Sequence, residues 1–308
     1  MERVLITGAA GTIGRVLRQG LQGRVGALRL LDIAPLGAPR PGEELVAADV
    51  RDLEAVTKAM EGIDGTVHLA GIPHEDSFDR ILEANVVGAH NLFEAARRQG
   101  CARVVFASSL HVTGFYDASE RISPEMPVRP DSFYGVSKAC GENLGRLYAH
   151  KHGLQVVCVR IGTFAERPTT PRHLSTWLSP RDAVELFWRC LVAPDIGFTV
   201  VYGTSATQRG WWDPGPVERL GYRPVDDAEK WASEVNGTNE DPTPSQVRVL
   251  RAAPTPAESP CSASRAQLPQ RSVLVEVWTA YVAPAAGSLS NRSISSAACR
   301  SWAAWKCA

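Results

Sequence analysis

The sequence predicts an α/β fold: a parallel sheet covered by helices on both faces. Three observations predict it. Short, nearly continuous apolar runs recur along the chain, at Arg3–Thr7, Ala27–Asp32, Gly65–Ala70, Arg103–Ala107 and Leu154–Ile161. Stretches with apolar residues at helical spacing alternate with them, and a glycine-rich turn joins the first run to the first such stretch. A strand that is apolar throughout has no solvent face, and sheets buried on both sides are mostly parallel.

Taken in order, Arg3–Thr7 is the first strand, and a helix follows from Thr12 to about Leu21. Ala27–Asp32 is the second strand and Glu44–Ala48 the third; Asp52 then caps a helix reaching about Met60, with Glu54 in its first turn. Gly65–Ala70 is a strand, Phe78–Arg98 a long helix, Arg103–Ala107 a strand, Ser132–Lys151 a helix and Leu154–Ile161 a strand. Past Ile161 the pattern loosens to a helix near Arg181–Val192, a strand near Phe198–Tyr202 and a helix near Ala228–Val235. That is too little for a full second domain. The expected architecture is therefore one body over residues 1–242, with a small C-terminal substrate-covering lobe mainly from residue 163 onward.

Charge divides the chain. It carries 33 Lys+Arg and 33 Asp+Glu, but from Ser245 onward the only acids are Glu258 and Glu276 against seven bases. This tail (243–308) is rich in Ser, Ala and Pro and lacks helical periodicity, with one strand-like run at Ser272–Ala283. It reads as disordered or loosely docked. A chain neutral overall has no positive field for a phosphate backbone, which argues against nucleic acid as a partner. No apolar run approaches the roughly 18 residues of a membrane span, and Met1-Glu2-Arg3 leads straight into a strand without a signal peptide. The 7 cysteines lack metal-ligand spacing, so no metal is expected and a cytoplasmic, reduced protein is.

The glycine turn is specific. In Gly8-Ala9-Ala10-Gly11-Thr12-Ile13-Gly14 the glycines let the backbone turn sharply and approach a pyrophosphate at a helix N-terminus. It follows a strand, opens a helix, and is answered by Asp32 at the end of the next strand, beside Ile33. These are the marks of a Rossmann-type, doubly wound dinucleotide site. Asp32 is placed for the adenosine ribose hydroxyls, and its charge repels a 2′-phosphate, so NAD is expected rather than NADP. Asp49-Val50 ends the third strand, where an Asp meets the adenine amino group; a helix-initiating Asp is the competing reading. Leu69-Ala70-Gly71 ends the fourth strand with small residues that let the cofactor pass close by.

Tyr134 and Lys138 are four residues apart and share a helix face. A phenol is a poor base at neutral pH, but a nearby ammonium and a positive nicotinamide favour the phenolate. Ser108-Ser109, at the end of the Arg103–Ala107 strand, supplies a hydroxyl to orient the alcohol being oxidised.

These residues resemble the extended short-chain dehydrogenase/reductase family, whose catalytic groups are Ser/Thr, Tyr and Lys, often with an Asn. The resemblance makes Ser109 the substrate-orienting hydroxyl and Asn85 the helix Asn that holds a water or backbone of the active site. Phe106-Ala107-Ser108-Ser109-Leu110-His111, Tyr134-Gly135-Val136-Ser137-Lys138, Val159-Arg160-Ile161-Gly162, Arg172-His173-Leu174-Ser175-Thr176-Trp177 and Gly210-Trp211-Trp212-Asp213 narrow it further. Together they are similar to the uronate dehydrogenases, over Arg3 to about Pro242. That family oxidises the anomeric carbon of D-galacturonate or D-glucuronate with NAD, giving an aldarolactone. The resemblance implies a small uronic acid substrate, a homo-oligomer, and Arg172 as the carboxylate-binding arginine. It also implies Thr163 and Phe164 facing cofactor and substrate, and Pro73, His74, Glu75, Ser109, Leu110, His111 and Tyr134 around the sugar. Leu110 departs from the family's usual Asn, and the tail departs from its usual C-terminus. A sugar-nucleotide epimerase or dehydratase needs a larger C-terminal domain, and a non-catalytic NAD-sensing regulator typically lacks the Tyr/Lys pair.

Overall fold

The computed structural model describes residues 1–235. The tail 243–308, its strand-like run and the boundary at 242 lie outside the described residues. Strands β1 (Arg3–Thr7), β2 (Ala27–Asp32) and β3 (Glu43–Ala47) alternate with helices α1 (Thr12–Gly20) and α2 (Leu53–Ala59). β4 (Gly65–His68) precedes α3 (Phe78–Ile81), a π-helical segment (Leu82–Val87) and α4 (Gly88–Gln99). β5 (Arg103–Ser109) runs into a 3-10 turn (Leu110–Thr113), followed by α5 (Phe133–His152) and β6 (Gln155–Ile161). The two-residue strands β7 (Thr163–Phe164) and β8 (Trp177–Leu178) flank α6 (His173–Thr176); α7 (Pro180–Val192), β9 (Phe198–Gly203), α8 (Gly215–Arg219), a 3-10 turn (Ala228–Trp231) and α9 (Ala232–Val235) follow.

Seven strands form one parallel sheet in the order β3-β2-β1-β4-β5-β6-β9. The order reverses direction between β1 and β4, and ligands of doubly wound sheets bind in the crevice beyond the strand ends at that point. Alternation within β1 shows why both faces are buried. Val4 and Ile6 pack with Leu17 of α1 and Phe187 of α7, while Leu5 packs with Val56 of α2 and Phe93 of α4. β9 is the seventh strand of this sheet and α7 packs against α1, so much of the chain past residue 163 belongs to the main layers.

The long helix expected over Phe78–Arg98 is interrupted. Its π-helical turn carries Asn85, whose side chain is drawn off the helix axis onto the backbone of Ile72; π turns commonly mark such sites. Helix α5 is capped by the Ser132 hydroxyl, which accepts from the Gly135 amide at 3.0 Å, and ends at Gly153 in the left-handed region (φ 74°). At Gly141, where a Cβ would collide with the Phe106 ring, α5 lies directly on β5. Beneath it sits a buried ion pair: Arg160 of β6 donates from Nε and Nη2 to both oxygens of Glu142, each at 2.9 Å. The Ser108 hydroxyl donates to the same carboxylate at 2.6 Å, and Arg160 Nη1 donates to the Tyr202 hydroxyl at 2.9 Å. Among the described residues no helix is long and apolar enough to cross a membrane, and Cys101, Cys140, Cys158 and Cys190 are free thiols.

Candidate active site

One cavity of about 1060 Å³ lies over the sheet's C-terminal edge between β1 and β4 and extends past β5 to Arg172. That is slightly beyond the roughly 300–1,000 Å³ of an ordinary ligand pocket, enough for two adjoining ligands.

At one end the glycine turn forms the wall. Gly8 has φ +71°, and a Cβ there would stand 2.6 Å from the Ala70 nitrogen, so only glycine fits between the two loops. Gly14 is pressed against the Gly8 carbonyl in the same way. Helix α1 starts at Gly11 with no side-chain cap and no acid in its first turn. Its leading amides therefore face the cavity as a cradle for phosphate. The Asp32 carboxylate accepts from Ala10 N and Ala34 N, both at 2.9 Å, which fixes its orientation. Each oxygen keeps a lone pair for a hydroxyl. These features fit a dinucleotide.

Every residue expected to touch a cofactor lines this cavity: Gly8, Gly11, Thr12, Ile13, Gly14, Asp32, Ile33, Asp49, Val50, Leu69, Ala70, Gly71, Tyr134, Lys138 and Thr163. The helix-initiating reading of Asp49 is excluded, since Asp52 caps α2. Asp49 instead pairs with Arg51, whose guanidinium lowers the pKa of its carboxyl; Arg51 also reaches Glu83 at 3.1 Å.

At the other end Tyr134, Lys138, Ser109, Leu110, His111, Phe164, Arg172 and Pro73 share the cavity wall. The Ser109 hydroxyl donates to the Tyr134 phenol oxygen, which favours the phenolate, but burial outweighs it and raises the phenol overall. The charge of Lys138 does not offset this: its Nζ lies 5.6 Å from the Tyr134 ring centroid, and burial pushes the ammonium down to about 8. His68 beneath it is pushed down to about 3, by burial first and then by Lys138, and stays neutral. Its Nδ1 is 2.7 Å from the Thr7 hydroxyl, a link between β4 and β1 just under the glycine turn.

Three expected residues stand off the wall. Asn85 is buried and takes a positioning place: its Oδ1 accepts from Ile72 N at 2.7 Å, and its Nδ2 donates to Ile72 O and the Ser137 hydroxyl at 3.0 Å. His74 and Glu75 do not line the cavity. Glu75 turns its carboxylate onto α5, accepting from Phe133 N at 3.1 Å and Tyr134 N at 3.0 Å. Leu110 lines the cavity and also belongs to an apolar cluster with Tyr116, Ile122, Tyr202 and Trp212. Sequence reasoning missed Arg51 and Glu83 at the far end, and the Ser108–Glu142–Arg160 link below. A charge inside the apolar β6 run, and Glu142 one turn beyond Lys138, were the available signals.

Comparisons with known proteins give the family. The family model for the NAD dependent epimerase/dehydratase family matches residues 4–179. The chain is 44% identical over 249 residues to the uronate dehydrogenase of Agrobacterium fabrum, covering 81% of this chain and 94% of that one. A mutant of the Agrobacterium tumefaciens uronate dehydrogenase, solved in complex with NAD, superimposes with TM-score 0.76 at 45% identity, covering 79% of this chain and 92% of that one. A glucuronic acid dehydrogenase from Chromohalobacter salexigens does so with TM-score 0.75 at 44% identity, over the same shares of 79% and 92%.

Proposed function

Because this chain belongs to the NAD dependent epimerase/dehydratase family, and within it to the uronate dehydrogenases, we propose that it oxidises the C1 hydroxyl of D-galacturonate and D-glucuronate to the aldarolactone. It is an NAD-dependent oxidoreductase. The observation that carries the substrate reading is a single cavity holding the glycine turn, the Tyr134–Lys138–Ser109 group and Arg172.

In this reading the α1 amides and the glycine turn hold the pyrophosphate, and Asp32 takes the adenosine ribose hydroxyls. When bound, NAD supplies the two-electron acceptor for the C1 hydrogen. The Ser109 hydroxyl holds the C1 oxygen, and the Tyr134 phenolate takes its proton. Lys138, cationic below about pH 8, places a positive charge 5.6 Å from the Tyr134 ring, which partly counters but does not outweigh the burial cost of that phenolate. Arg172 clamps the C6 carboxylate at the far end, where a planar guanidinium matches both oxygens. Thr163 and Phe164 shape the wall between. Asn85 fixes the loop at Ile72 against α5.

The test is the initial rate of cofactor reduction with galacturonate, glucuronate and neutral galactose, in wild type and Arg172→Ala. Wild type should use the uronates with NAD and scarcely with NADP. The variant should lose about one to two decades of kcat/KM on the uronates, the worth of charged hydrogen bonds at about 1.5–3 kcal/mol, and little on galactose. Equal losses on acid and neutral sugars would make Arg172 a structural residue, and absence of uronate-dependent reduction would overturn the substrate reading.

We infer also that the enzyme is a cytoplasmic homo-oligomer. The support for assembly is an exposed apolar strip along α3, the π-helical turn and α5: Phe78 (51% exposed), Leu82, Phe133 (48%) and Val136. Phe78 and Phe133 meet edge to face at 5.5 Å, which makes the strip continuous. Sedimentation should show a dimer or larger that Val136→Asp shifts toward monomer; a wild-type monomer at micromolar concentration refutes it. Cell fractionation checks the compartment.

A further inference from the structure

A buried carboxylate holds the imidazole that faces this cavity. His111 sits in the 3-10 turn after β5, its ring edge-on to the Tyr134 ring with centroids 5.5 Å apart. Its Nδ1 lies 2.9 and 3.1 Å from the two oxygens of Asp131. The Asp131 side chain is 2% exposed and that of His111 30%. The Ser132 hydroxyl donates to the same carboxylate at 3.0 Å, and Gly114 leaves the space it fills, since a Cβ there would collide with it. A carboxylate only accepts hydrogen bonds, so Nδ1 carries the hydrogen; in the neutral imidazole Nε2 is then left with a lone pair.

We propose that Asp131 is a positioning residue for the reaction. It fixes the His111 tautomer so that an aprotic Nε2 accepts the hydrogen of a sugar hydroxyl on the Tyr134 side of the cavity. This rests on the uronate reading given above. A nitrogen lone pair repels a carboxylate, so the same arrangement sorts the two ends of the sugar: hydroxyl to His111, acid to Arg172. Nothing in the spacing of the sequence announces the pair, because its partners are twenty residues apart on two loops.

Two measurements decide it. Nitrogen-15 NMR of the full chain at about pH 8, with the His111 signal assigned by its loss in His111→Gln, reads the tautomer directly. Wild type should carry the hydrogen on Nδ1, and Asp131→Asn, whose amide can donate to Nδ1, should move it to Nε2; a wild-type hydrogen on Nε2 overturns the proposal without needing any Asp131 variant to fold. In steady-state kinetics Asp131→Asn should lower kcat/KM for uronate about 5- to 150-fold, the range for one lost buried hydrogen bond, with NAD affinity kept. In the His111→Gln background it should cost nothing further. Additive losses would mean Asp131 acts on the fold and not through His111. If wild type oxidises no uronate, the substrate reading falls, and the tautomer spectra still decide the Asp131 assignment.

Discussion

Tyr134→Phe should lower kcat by about 10²–10⁴-fold, the usual contribution of a placed general base. The substitution keeps the ring, so the edge-on contact with His111 and the packing near Lys138 survive. What disappears is the oxygen to which Ser109 donates, the only atom on this ring able to take the C1 proton. NAD affinity, followed by quenching of protein fluorescence, should hold. The pH profile gives a second reading. Burial raises the Tyr134 phenol, so phenolate becomes more abundant as pH rises, and wild-type kcat should climb toward the alkaline side. The residual rate of Tyr134→Phe should lose that dependence. Near-wild-type turnover in the variant would move the base elsewhere.

Glu142→Ala is the largest expected loss of stability, about 3–5 kcal/mol, because it strands the Arg160 guanidinium, 1% exposed, without its carboxylate. The Ser108 hydroxyl loses its acceptor as well. For a body of this size that is about 6–20 °C in Tm. Removing both charges together, Glu142→Leu with Arg160→Met, should recover most of the loss, since the intact pair was itself costly to desolvate. Thermal melts check both variants; a drop below about 1 kcal/mol in the single variant would show that water reaches the site.

The main-sheet strands and the cofactor end were legible because each depends on local pattern. β1, β2, β4, β5 and β6 are nearly continuous apolar runs, and the glycine turn has a backbone conformation and a close approach that only glycine allows. Strand ends were placed within about two residues, the usual uncertainty of such boundaries. The Tyr134–Lys138 pair was legible because four-residue spacing on a helix forces a shared face. What was not legible joins distant segments. Asp131 meets His111, Glu75 meets α5, and Arg160 meets Glu142 only once the sheet has brought them together. The two-residue strands β7 and β8, and the π turn at Asn85, arise from tertiary contacts that no periodicity encodes.

The Glu75 clasp bears on how an acid substrate enters. The start of a long helix beside a catalytic tyrosine is a natural resting place for a stray anion. Here no such berth is open: Glu75 takes the amides of Phe133 and Tyr134, the Ser132 hydroxyl takes that of Gly135, and the Ser132 carbonyl takes that of Val136. The chain has supplied its own carboxylate to the one decoy nearest the chemistry. With those amides already taken, the start of α5 offers no second anion site to compete with Arg172 for the acid group of the proposed uronate.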